Sequence, residues 1–258
     1  MIVFRPSMWL VLVTICQLTS ANAHAVQVEI TADNVNYLAE TTLVTCLVNR
    51  GLDTSRRPVV LMSENGDRVI AQRDWTSRSL LYWMLEAPLA AHETRRYQIT
   101  QEVVDNDEVQ FVKCHSKDDD FEFLVDDKPV MLYNAGLKSC PVEGFEACKR
   151  SGFIHPLYAP DGAVVSDDFP PEHPHQHGIM LAWVDSEFQD ETVDFWNSMK
   201  KQGVVEHVQV YGTTNGPVFG EMTLLIRHSQ LASPDVKQPV LDDMWFLRVY
   251  HSANPRMI

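Results

Sequence analysis

The twelve residues DDFPPEHPHQHG, 167–178, hold three histidines, three acids and three prolines. Imidazole titrates near neutral pH, so it can carry protons or bind a transition metal. Pro174 biases His173 toward extended backbone. In an extended run His173, His175 and His177 share one face. The outer two then lie about 13 Å apart along the strand, whereas a zinc–nitrogen bond is about 2.0–2.1 Å. Three such histidines converge poorly on one ion. His175 and His177 alone can share one, with a third ligand from His155 or Glu206, and a divalent transition metal is the cofactor that this reading names. The metal-free alternative is acid–base chemistry or a polar binding pocket. A third alternative is structural, with Asp167 and Asp168 capping a turn through backbone amides and the prolines stiffening the loop.

A loop of this kind needs a scaffold, and the surrounding pattern is mostly β. VQVEI (26–30) alternates apolar and polar residues, and TTLVTCLVN (41–49) is β-branched and apolar. PVVLMSENGDRVIAQ (58–72) reads as a hairpin with Asn65-Gly66 suited to a type I′ turn. RRYQITQEVV and VQFVKCHS continue the series. FEFLVDDKPVMLYN (121–134) reads as a hairpin turning at Asp126-Asp127. Later strands are expected at 178–184, 204–212, 220–229 and 244–252. One short helix is expected at ETVDFWNSMKKQG (191–203), which has acids in its first turn, lysines in its last and Gly203 as a stop. Strands at short spacing with one helix predict a β-sandwich. The pattern breaks after Asn134, which divides an N-terminal β region, 24–134, from a histidine-motif β-sandwich region, 135–258. The last strand is followed closely by the end of the chain, which is the signature expected of an incomplete C-terminal sheet.

Arg5, the apolar run Met8–Leu18 and Ala21-Asn22-Ala23 read as a secretory signal peptide over 1–23. The run is too short for a membrane span, and no later stretch qualifies. The expectation is a periplasmic or secreted chain starting near His24. Its formal charge is −14, or −15 once Arg5 is gone, which argues against nucleic acid or an anionic membrane as partner. Four cysteines remain after the leader. In an exported chain they suggest disulfides, with Cys140–Cys148 across a short loop and Cys46–Cys114 as the consequence. No C-x-x-C spacing favours a zinc site. Trp183 and Trp245 sit in apolar patterns and are expected in the core, whereas Tyr158 and Trp196 are better placed to meet a ligand. The motifs G-x-S-x-G, H-E-x-x-H and the phosphate-binding glycine loops are absent.

Extended backwards, the motif becomes GFIHPLYAPDG (152–162) followed by DDFPPEHPHQHG. It resembles a bacterial domain family of unknown function labelled "methane oxygenase PmoA". The resemblance takes in KPVMLYN and weakens after about Glu221. The label is not literal, since particulate methane oxygenase is an integral membrane enzyme. What the resemblance implies is a sandwich similar to the galactose-mutarotase-like group, most of whose members handle carbohydrates. Such enzymes pair a histidine acid with a carboxylate base at the sugar ring. The matching candidates are His155, His175 and His177 with Glu206 or Glu221. Tyr158, Asp167, Asp168, His173 and Trp196 would contact the substrate. The H-x-H spacing is also similar to cupin metalloenzymes, but these carry a downstream glutamate where this chain reads Ile179-Met180-Leu181-Ala182. The implied role is binding or acting on a saccharide, as an epimerase-, lyase- or hydrolase-like enzyme. The rivals are an oxygenase-like metalloenzyme and a non-catalytic carbohydrate-binding or structural module.

Overall fold

A computed structural model describes residues 26–39, 42–48, 58–74, 80–100, 102, 104–105, 109, 111–233 and 236–251. The expected leader lies outside these residues. Among them no helix is long and apolar enough to cross a membrane. The described residues before Phe111, with Gly216–Val218 and His251, form one compact unit. Phe111–Asn215 and Phe219–Tyr250 form the other.

The first unit is an antiparallel sheet of β1 (Val26–Thr31), β2 (Leu43–Leu47), β3 (Val59–Ser63), β4 (Arg68–Arg73), β5 (Leu80–Met84) and β6 (Thr94–Ile99), in the order β1-β6-β3-β4-β5-β2. Alternation places Val28, Ile30, Leu61, Leu81, Trp83 and Tyr97 in its core. Trp83 meets Tyr97 edge-on, with ring centroids 5.4 Å apart. The β3–β4 hairpin forms as expected, but not through a type I′ turn. Gly66 alone takes a positive φ, 86°. Ser63 N–H donates to Asp67 O across three loop residues. This is the three-residue loop with glycine in the left-handed position, rather than the two-residue turn that needs two positive φ values.

The second unit carries the histidine motif. β7 (Val112–Lys117), β8 (Asp120–Val125), β9 (Lys128–Asn134) and β10 (Phe153–Leu157) form a four-stranded sheet, β10-β9-β8-β7. Because these strands pair with one another, the division of the chain falls before β7 rather than after Asn134. The β8–β9 turn is Asp126-Asp127 as expected. Both take positive φ (49° and 61°), which short polar side chains tolerate. β11 (Ser186–Phe188) pairs with β12 (Glu191–Val193). A second sheet holds β13 (Gly203–Thr214), β14 (Phe219–Ser233) and β15 (Val236–Tyr250) in that order.

The two main sheets of this unit share one core. Phe123, Met131 and Tyr133 come from the first sheet; Val205, Met222, Leu224, Ile226 and Val249 come from the second. Each large side chain so enclosed contributes about 1.5–3 kcal/mol. A mostly β, sandwich-like unit is therefore what the pattern forms.

The helix expected at 191–203 does not form. β12 takes its first residues, and only a 3-10 turn, Ser198–Lys200, follows. Asp194 Oδ1 accepts from the amides of both Trp196 and Asn197, at 2.8 Å each, closing a turn at the end of β12. The acid-then-lysine pattern is used as an ion pair instead, Lys200 Nζ to Asp194 Oδ2 at 2.7 Å. The strand expected at 178–184 is also absent. Ile179 bridges Ile154, but the carbonyl of Leu181 accepts from Arg150 and that of Trp183 from Phe195 N–H.

None of the four described cysteines is bridged to another, so neither expected disulfide is present among the described residues. Cys46 is packed in the core of the first unit and Cys114 in that of the second, each as a small apolar side chain. Cys148 is buried and Cys140 half-buried.

Candidate functional site

The histidine motif is a looped segment, not an extended strand. His173 N–H donates to Pro170 O and Gln176 N–H to His173 O, both at 2.9 Å, giving two successive turns. The neck is closed by Phe169 N–H to Gln176 O and Gly178 N–H to Asp167 O. Gly178 is required there. Its φ is +32°, and a Cβ would stand 2.0 Å from the Ile154 carbonyl oxygen. This close approach lets the loop lie against β10.

His177 is enclosed at the neck. Its ring packs on Phe153 and Phe169, with centroids at 5.0 and 4.6 Å. Its Nδ1 lies 2.7 Å from Asp168 Oδ1. The carboxylate orients the enclosed ring through Nδ1 and braces the neck of the loop. Asp167 is exposed and accepts the amide of Asp168 at 2.8 Å. Among the described residues no group of three or more His, Cys, Asp or Glu is arranged to hold a metal ion.

His173 and His175 flank Pro174, with ring centroids 5.9 Å apart. His173 is exposed and His175 half-buried. His175 meets Trp196 edge-on at 4.6 Å, and its Nε2 is enclosed without a hydrogen-bond partner. Burial, then the neighbouring His173 and His177, push its pKa below the ordinary imidazole value, against a smaller pull from Asp194. The ring is neutral at neutral pH. Asp194 fixes the Trp196 amide at 2.8 Å, and this turn sets the backbone that carries the indole to His175.

Trp183 lies on the neighbouring segment, bonded through its carbonyl to Phe195 N–H, and is half-exposed. The sequence reading placed it in the core because a strand was expected there. Without a ladder the segment turns the indole outward. Trp245 is partly buried against the core, as expected.

The remaining candidates lie elsewhere. His155 is half-buried, with Nδ1 2.9 Å from Ser166 Oγ, which also accepts the Leu157 amide. Tyr158 is half-buried, its amide bonded to Val130 O. Glu206 faces away from the core and pairs with Lys237 at 2.5 Å. Glu221 is buried and accepts from Arg248 Nε at 2.7 Å. Neither carboxylate meets a motif histidine in these contacts. Strand alternation explains Glu206, because Val205 and His207 take the inward positions of β13.

Sequence reasoning missed three groups. His207 Nδ1 lies in hydrogen-bond contact with the Tyr133 hydroxyl, 3.0 Å away, and burial lowers its pKa. His228, 1% exposed on β14, lies with Nε2 2.8 Å from Asp243 Oδ2, out of line for a hydrogen bond. Arg150, 5% exposed, makes one guanidinium hydrogen bond, Nη2 to Leu181 O at 3.0 Å. The signal for the histidines is a polar residue at an inward position of an alternating strand, at 207 and 228. Arg150 gave no such signal, because it precedes β10 in irregular chain.

No match to this chain is found among curated proteins or among solved structures. A family model, described as a family of unknown function (DUF6807), matches residues 120–258. That is more than half of the chain and takes in the whole histidine loop, so the protein belongs to this family of unknown function.

Proposed function

We propose that this is an exported carbohydrate-active or carbohydrate-binding protein, of galactose-mutarotase-like character, whose ligand meets the histidine loop at His173, His175, Trp196 and Trp183. The observation that carries the reading is the pairing of a neutral, half-buried His175 with Trp196, with a half-exposed Trp183 whose carbonyl accepts from the amide of Phe195. Indole faces supply flat apolar area on which a sugar ring can stack. A neutral imidazole supplies a proton acceptor at the edge of that area. With Nε2 enclosed, Nδ1 is the nitrogen left to act on a ligand hydroxyl. His177 and Asp168 hold the loop but do not touch the ligand in this reading.

The test is direct binding of neutral monosaccharides and short oligosaccharides by calorimetry, with His175→Ala and Trp196→Ala as controls. Anomer exchange and turnover are followed on whatever binds. Saccharide affinity lost in both variants supports the reading. Binding without turnover assigns a carbohydrate-binding module. No saccharide affinity in the folded protein contradicts both.

A further inference from the structure

Arg150 is a buried guanidinium without an acid. Its Nη2 is used on the Leu181 carbonyl, and its Nε is enclosed with no hydrogen-bond partner. No carboxylate pairs with it among the described residues. Its charged or polar neighbours include the Tyr133 hydroxyl and the His228 ring, the ring itself 2.8 Å from Asp243 Oδ2. Neither supplies negative charge, since burial raises Tyr133 above the ordinary phenol range, against a smaller pull down from Arg150, and leaves it neutral. Burial pulls Arg150 down only to about 10, so it stays charged at neutral pH. An enclosed cation without a counter-charge is costly. Arginine's planar fork of donors is the group best matched to a carboxylate. The second orphan beside it is His228 Nδ1, also enclosed without a partner.

The position ties this cation to the proposed ligand surface. Arg150 holds Leu181, and two residues on, Trp183 is bonded to Phe195, the neighbour of Trp196. The segment 180–184 belongs to no strand and is held by these two bonds to its carbonyls.

We propose that Arg150 forms an anion subsite for the carboxylate of an acidic saccharide, a uronate, so that the ligand class is acidic rather than neutral sugar. The inference rests on the saccharide reading above, and its failure can be told apart from failure of that reading. The experiment compares galacturonate and glucuronate with their uncharged amides and with galactose and glucose, all on the wild-type protein by calorimetry. It is repeated on Arg150→Met and Arg150→Lys, with acetate as the anion probe without a sugar.

The expected result is uronate binding on the order of tenfold or more tighter than its amide, with the preference lost in Arg150→Met. Equal affinity for uronate, amide and neutral sugar overturns the anion subsite and leaves the saccharide reading standing. Acetate stabilising the wild-type protein but not Arg150→Met, with no sugar bound, supports the anion subsite and overturns the saccharide reading. If Arg150→Met does not fold, the wild-type comparison of uronate with amide decides alone. A uronate preference fully kept in a folded Arg150→Met protein overturns the assignment to this residue.

Discussion

His177 Nδ1 lies 2.7 Å from Asp168 Oδ1 at the neck of the histidine loop, inside an enclosure made with Phe153 and Phe169. The pair joins the two ends of the loop through side chains, between the two backbone hydrogen bonds that close it. Removing Asp168 leaves an enclosed imidazole nitrogen without its partner. Asp168→Ala is expected to cost about 1–3 kcal/mol, read as a lowered thermal midpoint. Asp168→Asn, which keeps an acceptor, is expected to cost less. Equal losses in the two variants would mean that the hydrogen bond is not what holds the neck.

Gly178 sets how closely that neck approaches β10. A Cβ at 2.0 Å from the Ile154 carbonyl oxygen meets backbone, which cannot swing aside. Gly178→Ala is expected to lose about 2–4 kcal/mol or to fail to fold. Gly162→Ala serves as a control, since a Cβ there meets nothing within 4 Å although its φ is also positive, +87°. Denaturant unfolding of the two variants side by side separates contact from backbone strain. A Gly162→Ala loss as large as that of Gly178→Ala would assign the effect to φ alone.

His175, His207 and His228 are all held below the ordinary imidazole value, with burial the largest cause in each. Above about pH 6.5 they are neutral in both folded and unfolded chains, and their contribution to stability is complete. As pH falls through 6.5 the unfolded chain takes up protons that the folded protein resists, so stability is lost toward acid. Thermal midpoints between pH 7.5 and 5 should fall accordingly. His207→Gln, which keeps a hydrogen-bonding group for Tyr133, should flatten the slope. A midpoint that rises on acidification over this range contradicts the assignment.

The free thiols make a chemical prediction that also tests the disulfide expectation. Burial alone pushes Cys114 up to about 12, so it is present as an inert thiol. In the folded protein a thiol reagent should label Cys140 first, the described cysteine that is not buried, with Cys114 and Cys148 reacting only on denaturation. Failure of Cys140 and Cys148 to react even in denaturant without reductant would establish the bridge expected from their spacing.

The scaffold was legible because alternation and turn chemistry act locally. The Asp126-Asp127 turn and the inward faces of β13 and β14 follow from residue type alone. The segments misread, 178–184 and 191–203, have the right composition for a strand and a helix. They are taken up by particular partners, Arg150 at the Leu181 carbonyl and the strand Ser186–Phe188 at Glu191–Val193. Periodicity does not register such bonds. The histidine loop was legible as a cluster but not as a geometry. An extended run would have put all three rings on one face, whereas two turns around Pro174 split them into an enclosed His177 and an open His173–His175 pair. Trp183 follows the same logic, since its exposure depends on a ladder that does not form.

The central claim is that a saccharide meets the protein at His175 and Trp196. Its most direct measurement is calorimetric titration of the wild-type, His175→Ala and Trp196→Ala proteins with a panel of neutral and acidic monosaccharides and oligosaccharides at pH 7.5. The account predicts measurable affinity for at least one saccharide in the wild-type protein, weakened on the order of tenfold or more by each substitution while both variants keep the wild-type thermal midpoint within a few degrees. Saccharide binding unchanged in both folded variants, or no binding across the panel, would contradict it.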